Sequence, residues 1–426
     1  MTTIETLERK TDILIPDLRT QVFPKGYELL PGLNNIYELE LALAEAKALS
    51  KEELVERGAY FKTIAGVETN HSVLCSGLPL QVGKSSFRLR AFFETYRYKT
   101  SYATHGLFPY RGKFHPQLIK AIINIIGVQR GDLLLDPMTG SATTNIEASL
   151  IGIDSIGFDM NPFAVFMGKA KAQGLGLSQG QISEFRSSAE SAFETISLAG
   201  SQKSLDENGE TRSRDGVHPI LMLAYLDALG YSRRVKTKKL PELLPIVLER
   251  YMASISNFIE ARDKLGLSLG KITLSGTDAR GYPEVRAGSV DAVITSPPYS
   301  FAIDYLKGDK LQLEFLGYDV GSLRSNMIGL RGSDLRSQVF AYLEDMNRVL
   351  SEVSRVLKRQ GYAVIIVGSN TVQRSKIEEA VGLRLEDELV SLGQKNGLRM
   401  VQRFERPIEG VQNVMRSEHI LFLRKN

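Results

Sequence analysis

The chain of 426 residues reads as an α/β protein built on a mostly parallel sheet, and three stretches predict it. First, residues 133–135 are a short apolar run, followed by a tight glycine-bearing loop over 137–143, a helical stretch over 144–150 and a second apolar run ending at Asp159. That succession is half of a Rossmann-like unit, with a carboxylate about 20 residues beyond the glycine loop, where a ribose diol would be held. Second, residues 290–294 read as a strand buried on both faces and stopped abruptly by Pro297 and Pro298. Third, a helix over 340–357 and a strand over 362–368 continue the alternation.

Composition sets the bounds. With 43% hydrophobic and 24% charged residues, the chain has the make-up of a soluble globular protein. Its length suits one sizeable domain with additions, or two domains. No apolar run approaches the roughly 20 residues of a membrane span, and the opening MTTIETLERKTD lacks signal-peptide character, so a cytoplasmic location is expected. The single cysteine, Cys75, excludes disulfides and cysteine-rich zinc sites, and the five histidines show no metal-binding spacing. Cys75 reads as a buried structural thiol. A net charge of +4 is only mildly basic, so local patches must carry any argument for nucleic acid.

Along the chain, residues 37–54 have helical periodicity, preceded by an irregular stretch with Pro24 and Pro31. Residues 87–102, FRLRAFFETYRYKTSY, interleave Arg88, Arg90, Arg97 and Lys99 with Phe92, Phe93, Tyr96 and Tyr98. Such a stretch can meet phosphates and stack on bases, or can be a core element with a solvated basic face; the second reading is preferred. A helix with proline in its first turn is expected over 116–126. Residues 172–270 form a long insertion: SQKSLDENGETRSRDG reads as a mobile loop, and apolar helices follow over 220–229 and 240–265. Between those helices Arg233, Arg234, Lys236, Lys238 and Lys239 concentrate positive charge, ordinarily a solvated face but also able to grip phosphates. A strand ending near Asp278 then leads to the 290–294 strand, and the chain closes on a predicted hairpin.

The stretch Thr295-Ser296-Pro297-Pro298-Tyr299 carries the chemistry. In an open α/β sheet, ligands sit at the carboxyl ends of the strands. Consecutive prolines lock φ and remove backbone donors, leaving the carbonyls of Ser296 and Pro297 as fixed acceptors beside the ring of Tyr299. Acceptors next to a flat ring suit a planar base with an exocyclic amine.

TSPPY resembles the catalytic motif of the DNA amino-methyltransferases, which transfer a methyl from S-adenosyl-L-methionine to N4 of cytosine or N6 of adenine. DPMTGSATT resembles their DPFxGSGTT cofactor loop, GFDMNPFA their ribose and adenine segment, and HGLFPYRGKFHPQLIKAIINIIG the segment that closes over the methionine part. FAIDYLKGDK is similar to a helical continuation in one branch of these enzymes, where Asp304 and Lys310 are minor candidates, and SNMIGLRGSD is a glycine-bearing loop able to close over substrate. Two departures stand out: Met138 replaces an aromatic residue, and Ala142 replaces a glycine, which disfavours positive φ and would crowd the cofactor.

The resemblance implies a Rossmann-like S-adenosylmethionine-dependent methyltransferase sheet with an antiparallel last strand, a helical insertion and an N-terminal extension. It implies cofactor contacts from Asp136, Pro137, Gly140, Ser141, Thr143, Asp159, Asn161, Asp278, Thr295 and Lys113, with Arg111 beside Lys113. Asp159 would take the ribose and Asp278 the adenine. Catalysis would fall to Ser296, Pro297, Pro298 and Tyr299. Residues 101–172 and 271–426 would form the catalytic domain, 173–270 the target-recognition region, and 1–100 an extension able to contact DNA. Because the cofactor motif precedes the catalytic motif, the permuted arrangement is excluded.

By the same resemblance, Ser296 and the Pro297 carbonyl accept the two amine hydrogens, the methyl passes directly with no covalent enzyme intermediate, and the base is flipped out to stack on Tyr299. Serine at the first motif position leans toward N4 of cytosine. The expected partners are double-stranded DNA and, in a restriction-modification pairing, a cognate restriction endonuclease. The alternatives are an N6-adenine enzyme, an RNA base-amine methyltransferase, and a non-catalytic nucleic-acid-binding relative. A nicotinamide dehydrogenase is disfavoured because the loop lacks GxGxxG.

Overall fold

The computed structural model describes residues 21–31, 33, 36–76, 101–110, 113–198, 218–234, 238–298, 304–369, 371–407 and 417–426. Near the N-terminus, β1 (Tyr27–Leu29), β2 (Phe61–Ile64) and β3 (Val67–Glu68) make a small antiparallel sheet. Helices α1 (Ile36–Ala48), α2 (Lys51–Arg57) and α3 (Asn70–Ser76) accompany it. The helical stretch expected over 37–54 is therefore two helices. Ser50 breaks it with a capping box: its Oγ accepts from the Glu53 amide at 3.1 Å, and the Glu53 carboxylate accepts from the Ser50 amide at 2.8 Å. Residues 87–100 lie outside the described residues, but Tyr102 at the end of that stretch is fully buried.

The main body runs α4 (Pro116–Ile125), β4 (Leu133–Asp136), α5 (Thr143–Leu150), β5 (Asp154–Phe158) and α6 (Pro162–Leu175). The inserted helices α7 (Gln179–Leu198), α8 (Pro219–Arg234) and α9 (Leu240–Leu265) follow, then β6 (Ile272–Ser275) and β7 (Val290–Thr295). After β7 come α10 (Tyr305–Phe315), α11 (Val320–Asn326), α12 (Leu335–Val356), β8 (Leu357–Ser369), α13 (Thr371–Val381), α14 (Leu385–Lys395), β9 (Leu398–Pro407) and β10 (Ser417–Lys425). Strand β6 stops at Ser275, three residues short of Asp278.

Seven strands form one sheet in the order β6-β5-β4-β7-β8-β10-β9. The pairs from β6 to β8 are parallel, whereas β10 runs antiparallel to both β8 and β9, so the expected Rossmann-like sheet with its antiparallel last strand is present. Burial alternates with the two-residue period of a strand. Leu134, Ala292, Ile294, Val364 and Ile366 face one core, and Leu135, Val293, Ala363 and Ile365 face another, formed with α12 and α14. A sheet covered on both faces explains the near-continuous apolar strands.

The first of those cores also contains Leu41, Leu54 and Phe61, packed through Ile119 and Ile122 of α4. The N-terminal residues are thus continuous with the sheet, a long-range contact that no local pattern announces. On the other side, the inserted helices share a core with α6 and with Leu306 and Leu313 of α10. The predicted loop within the insertion and Lys236 lie outside the described residues. Among the described residues, no helix is long and apolar enough to cross a membrane.

Candidate functional site

Strands β4 and β7 are parallel neighbours, so the loops leaving their carboxyl ends emerge side by side. The two ends are fastened by Thr295, whose hydroxyl donates to Asp136 Oδ1 at 2.7 Å, and the Met138 amide donates to the same oxygen at 3.1 Å. Asp136 and Thr295 are fully buried beneath the cleft rather than lining it, and burial pushes the Asp136 carboxyl up to about 6. They form the floor on which the two loops rest.

In the glycine loop, Gly140 has φ +50° and its amide donates to Asp159 Oδ2 at 2.9 Å. The Asn161 amide donates to Asp159 Oδ1 at 2.8 Å. Both oxygens are thereby aimed while their remaining lone pairs face the cleft. Ala142 adopts φ +60°, the left-handed conformation that a Cβ disfavours. Its methyl packs among Ile146 and Val165 in the core and is absent from the cleft wall.

At the turn after β7 the Ser296 hydroxyl donates to the Ile366 carbonyl at 3.0 Å. With its hydrogen committed, the oxygen can act toward the cleft only as an acceptor. Ser296 and Pro298 line the cleft, and Pro297 is buried behind them. Tyr299 and Arg111 lie outside the described residues.

One cleft therefore gathers Pro137, Gly140, Ser141, Thr143, Asp159 and Asn161 with Lys113, Ser296 and Pro298. Asp278 does not line it, although Ala279 does; the Asp278 carboxylate is spanned by Arg280 at 2.7 to 3.0 Å. Asp304 caps α10 and pairs with Arg324, and Lys310 pairs with Glu314 at 3.5 Å, so these two do structural work.

Several residues at or just behind the cleft wall were not singled out from the sequence. Tyr110 and Tyr305 line it with near-parallel rings, centroids 6.5 Å apart and planes 22° apart. Asp309, four residues after Tyr305 on the same face of α10, accepts from Asn161 Nδ2 at 2.8 Å; burial pushes its carboxyl up to about 7 despite that bond. The signal was available: Asp304 is an N-cap residue, and a helix starting there places positions 305 and 309 together.

Behind the cleft lies a buried polar cluster. Glu147 on α5 accepts from His105 Nε2 at 2.5 Å and meets Lys120 Nζ at 3.4 Å, and Lys120 meets His71 Nδ1 at 3.0 Å. His71 in turn lies 3.8 Å from the buried Cys75 thiol, one helical turn away, so the cysteine is structural but does have a histidine beside it. The His105 carbonyl accepts from Lys113 Nζ at 2.6 Å, which ties the cluster to the cleft.

The chain is similar to several known proteins. Residues 107–206 match the UPF0020 family, described as an RMKL-like methyltransferase domain. The Type II methyltransferase M.BsoBI of Geobacillus stearothermophilus is 22% identical over 285 residues, covering 54% of this chain and 56% of its own length. The Type II methyltransferase M.MjaII of Methanocaldococcus jannaschii is 41% identical over 69 residues, 16% of this chain and 13% of its own. A tRNA (guanine(10)-N2)-dimethyltransferase of Methanothermobacter thermautotrophicus is 39% identical over 54 residues, 13% of this chain and 16% of its own. The chain spans about half the length of the first of these relatives and much less of the other two.

S-adenosyl-L-methionine is the expected cofactor. The donor set fits it: a carboxylate for a ribose diol at Asp159, apolar Met160, Ala279 and Ile328 near it for a flat base, and a lysine, Lys113, for an amino-acid carboxylate. The pH dependence of its binding follows from two groups. Burial pushes Asp159 up to about 6 and Lys113 down to about 7. Below the first value Asp159 gains a proton and loses an acceptor; above the second Lys113 loses its charge. Affinity measured by calorimetry should therefore peak between them and fall on both sides, and a flat profile from about pH 5 to pH 9 would remove these two contacts from the site.

Proposed function

We propose that the protein is a methyltransferase that modifies the exocyclic amine of a base flipped out of double-stranded DNA, with N4 of cytosine the favoured position. One observation carries the reading: Ser296, with its hydrogen given to the Ile366 carbonyl, presents an acceptor at the cleft wall beside Pro298. An exocyclic amine is a weak nucleophile because its lone pair is delocalised into the ring. Ser296 Oγ and the Pro297 carbonyl accept its two hydrogens and turn the lone pair toward the cleft. S-adenosyl-L-methionine supplies the activated methyl, so the protein's contribution is positioning and electrostatics.

Asp159, Asn161, Gly140, Ser141, Thr143, Pro137 and Lys113 hold the cofactor in this reading, while Asp136 and Thr295 fix the floor. Tyr299 stacks on the flipped base, and Tyr110 and Tyr305 add flat surface beside it. Residues 101–172 and 271–426 act as the catalytic domain, with 173–270 reading the target and 1–100 as an extension that contacts DNA. Arg233 and Arg234 at the end of α8, with Lys238 and Lys239 before α9, supply phosphate contacts. The likeness to two Type II methyltransferases supports the DNA reading and a restriction endonuclease as partner. The likeness to a tRNA guanine-N2 enzyme supports a second one, a base amine in RNA.

The test is incubation with isotopically labelled S-adenosyl-L-methionine and either unmethylated genomic DNA or total RNA, then nucleoside mass spectrometry. N4-methylcytosine from DNA is the expected product. N6-methyladenine keeps the mechanism and changes the base, label confined to RNA selects the second reading, and no label despite cofactor binding defeats both.

A further inference from the structure

Arg280 joins three separate parts of the molecule. Its guanidinium donates to both oxygens of Asp278 after β6, to Asp345 Oδ1 on α12 at 3.0 Å, and to the Asn326 carbonyl at the end of α11 at 2.9 Å. Asp345 is 1% exposed and also accepts from Arg331, at 2.6 Å on Oδ1 and 3.2 Å on Oδ2. Arg331 belongs to residues 327–334, the segment between α11 and α12, so both ends of its first half are tied to one buried carboxylate.

Between those ties the segment touches both halves of the site. Met327 and Ile328 line the cleft. Gly329 has φ +82°, and a Cβ there would sit 3.7 Å from Pro298 Cγ and 3.8 Å from Tyr342. The segment's backbone at Gly329 thus lies against Pro298 of the turn while Met327 and Ile328 form part of the cleft wall. Two arginines sharing one buried aspartate need each other's geometry: removing the aspartate's charge leaves both guanidinia without their common anchor.

We propose that Asp345, Arg280 and Arg331 are positioning residues that latch residues 327–334 as a flap over the cleft, so that entry and release of the small molecule bound there require the latch to open. The inference rests on reading the cleft as the cofactor site. It also gives Asp278 a role its sequence position did not announce, as the counter-ion that aims Arg280. A closed flap held by charge-assisted hydrogen bonds is a two-state element, and weakening the latch raises the open population and speeds exchange through it.

The test compares hydrogen exchange of the full-length protein, wild type against Asp345→Asn and Arg331→Ala, with Arg348→Ala, an exposed pair on the same helix, as control. The rate of S-adenosyl-L-methionine release is measured on the same samples. Exchange over residues 327–334 should quicken about tenfold in both latch variants, release should quicken by a similar factor, and Arg348→Ala should change neither. Arg331→Ala, which keeps the Arg280–Asp345 bond, should leave the melting temperature near wild type; faster release without lost stability separates a latch from a merely structural contact. Unchanged exchange over 327–334 in both variants overturns the latch. If Asp345→Asn loosens the whole fold, Arg331→Ala decides alone: local loosening supports the latch, and wild-type exchange overturns it. If the wild type binds no S-adenosyl-L-methionine, the functional reading fails, and exchange of the segment still decides whether the latch exists.

Discussion

Replacing Ser296 by alanine is expected to lower kcat by about 10² to 10³-fold while leaving cofactor affinity close to wild type, the size of effect seen when one aimed polar group is removed from a transition-state site. The reason lies in the direction of one hydrogen. The Ser296 hydroxyl hydrogen is taken by the Ile366 carbonyl, so the oxygen is left to accept from substrate, and a rotation that freed the hydrogen would break that bond. Ile366 is fully buried, and losing one hydrogen bond to its carbonyl costs about 0.5 to 1.5 kcal/mol. Ser296→Ala should accordingly lower stability by an amount in that range as well. Turnover and melting temperature measured together distinguish the two losses, and a variant with normal turnover would leave the acceptor role without support.

The second large effect is on folding. Replacing Glu147 by leucine is expected to destabilise the protein by about 3 to 5 kcal/mol near neutral pH, because Lys120 and its partners would be left buried without their anion. Glu147 is 0% exposed and Lys120 2% exposed. Burial alone would raise the Glu147 carboxyl, but Lys120 and the His105 hydrogen bond overcome it and hold the group down to about 2, against an ordinary 4.5. A carboxyl whose value falls on folding stabilises fully above 4.5 and loses that contribution as pH falls toward 2. His105, pushed down by burial to about 4 from 6.5 and partly held up by Glu147, costs stability on acidification in the variant as well, so it does not narrow the difference between the two proteins. The gap between wild type and Glu147→Leu in urea should therefore persist down to about pH 4.5 and narrow as pH falls from there toward 2. A gap below about 1 kcal/mol at neutral pH would show that the cluster is not coupled.

Most of the sheet was legible because strands covered on both faces write themselves as apolar runs, and the loops at their ends carry glycine, proline and a carboxylate at fixed offsets. Ser50 and Glu53 had a readable capping-box spacing that the helical periodicity over 37–54 obscured. Ala142 was legible in half: the forbidden sign of φ follows from its type, but the side to which its methyl points depends on Val165, in another helix. Tyr110 with Tyr305 and Asn161 with Asp309 were harder, since each pair is separated by well over a hundred residues and neither member is unusual alone. Arg280 was invisible for the same reason, as its partners Asp345 and Asn326 are distant in sequence.

The bond between Thr295 and Asp136 joins residues 159 apart in the chain. In kinetic terms, the floor of the cleft cannot close until the whole inserted region has been spanned, and contacts of such long sequence separation form late because loop entropy opposes them. The glycine loop after β4 and the turn after β7 therefore become fastened to one another only when that distant pair meets.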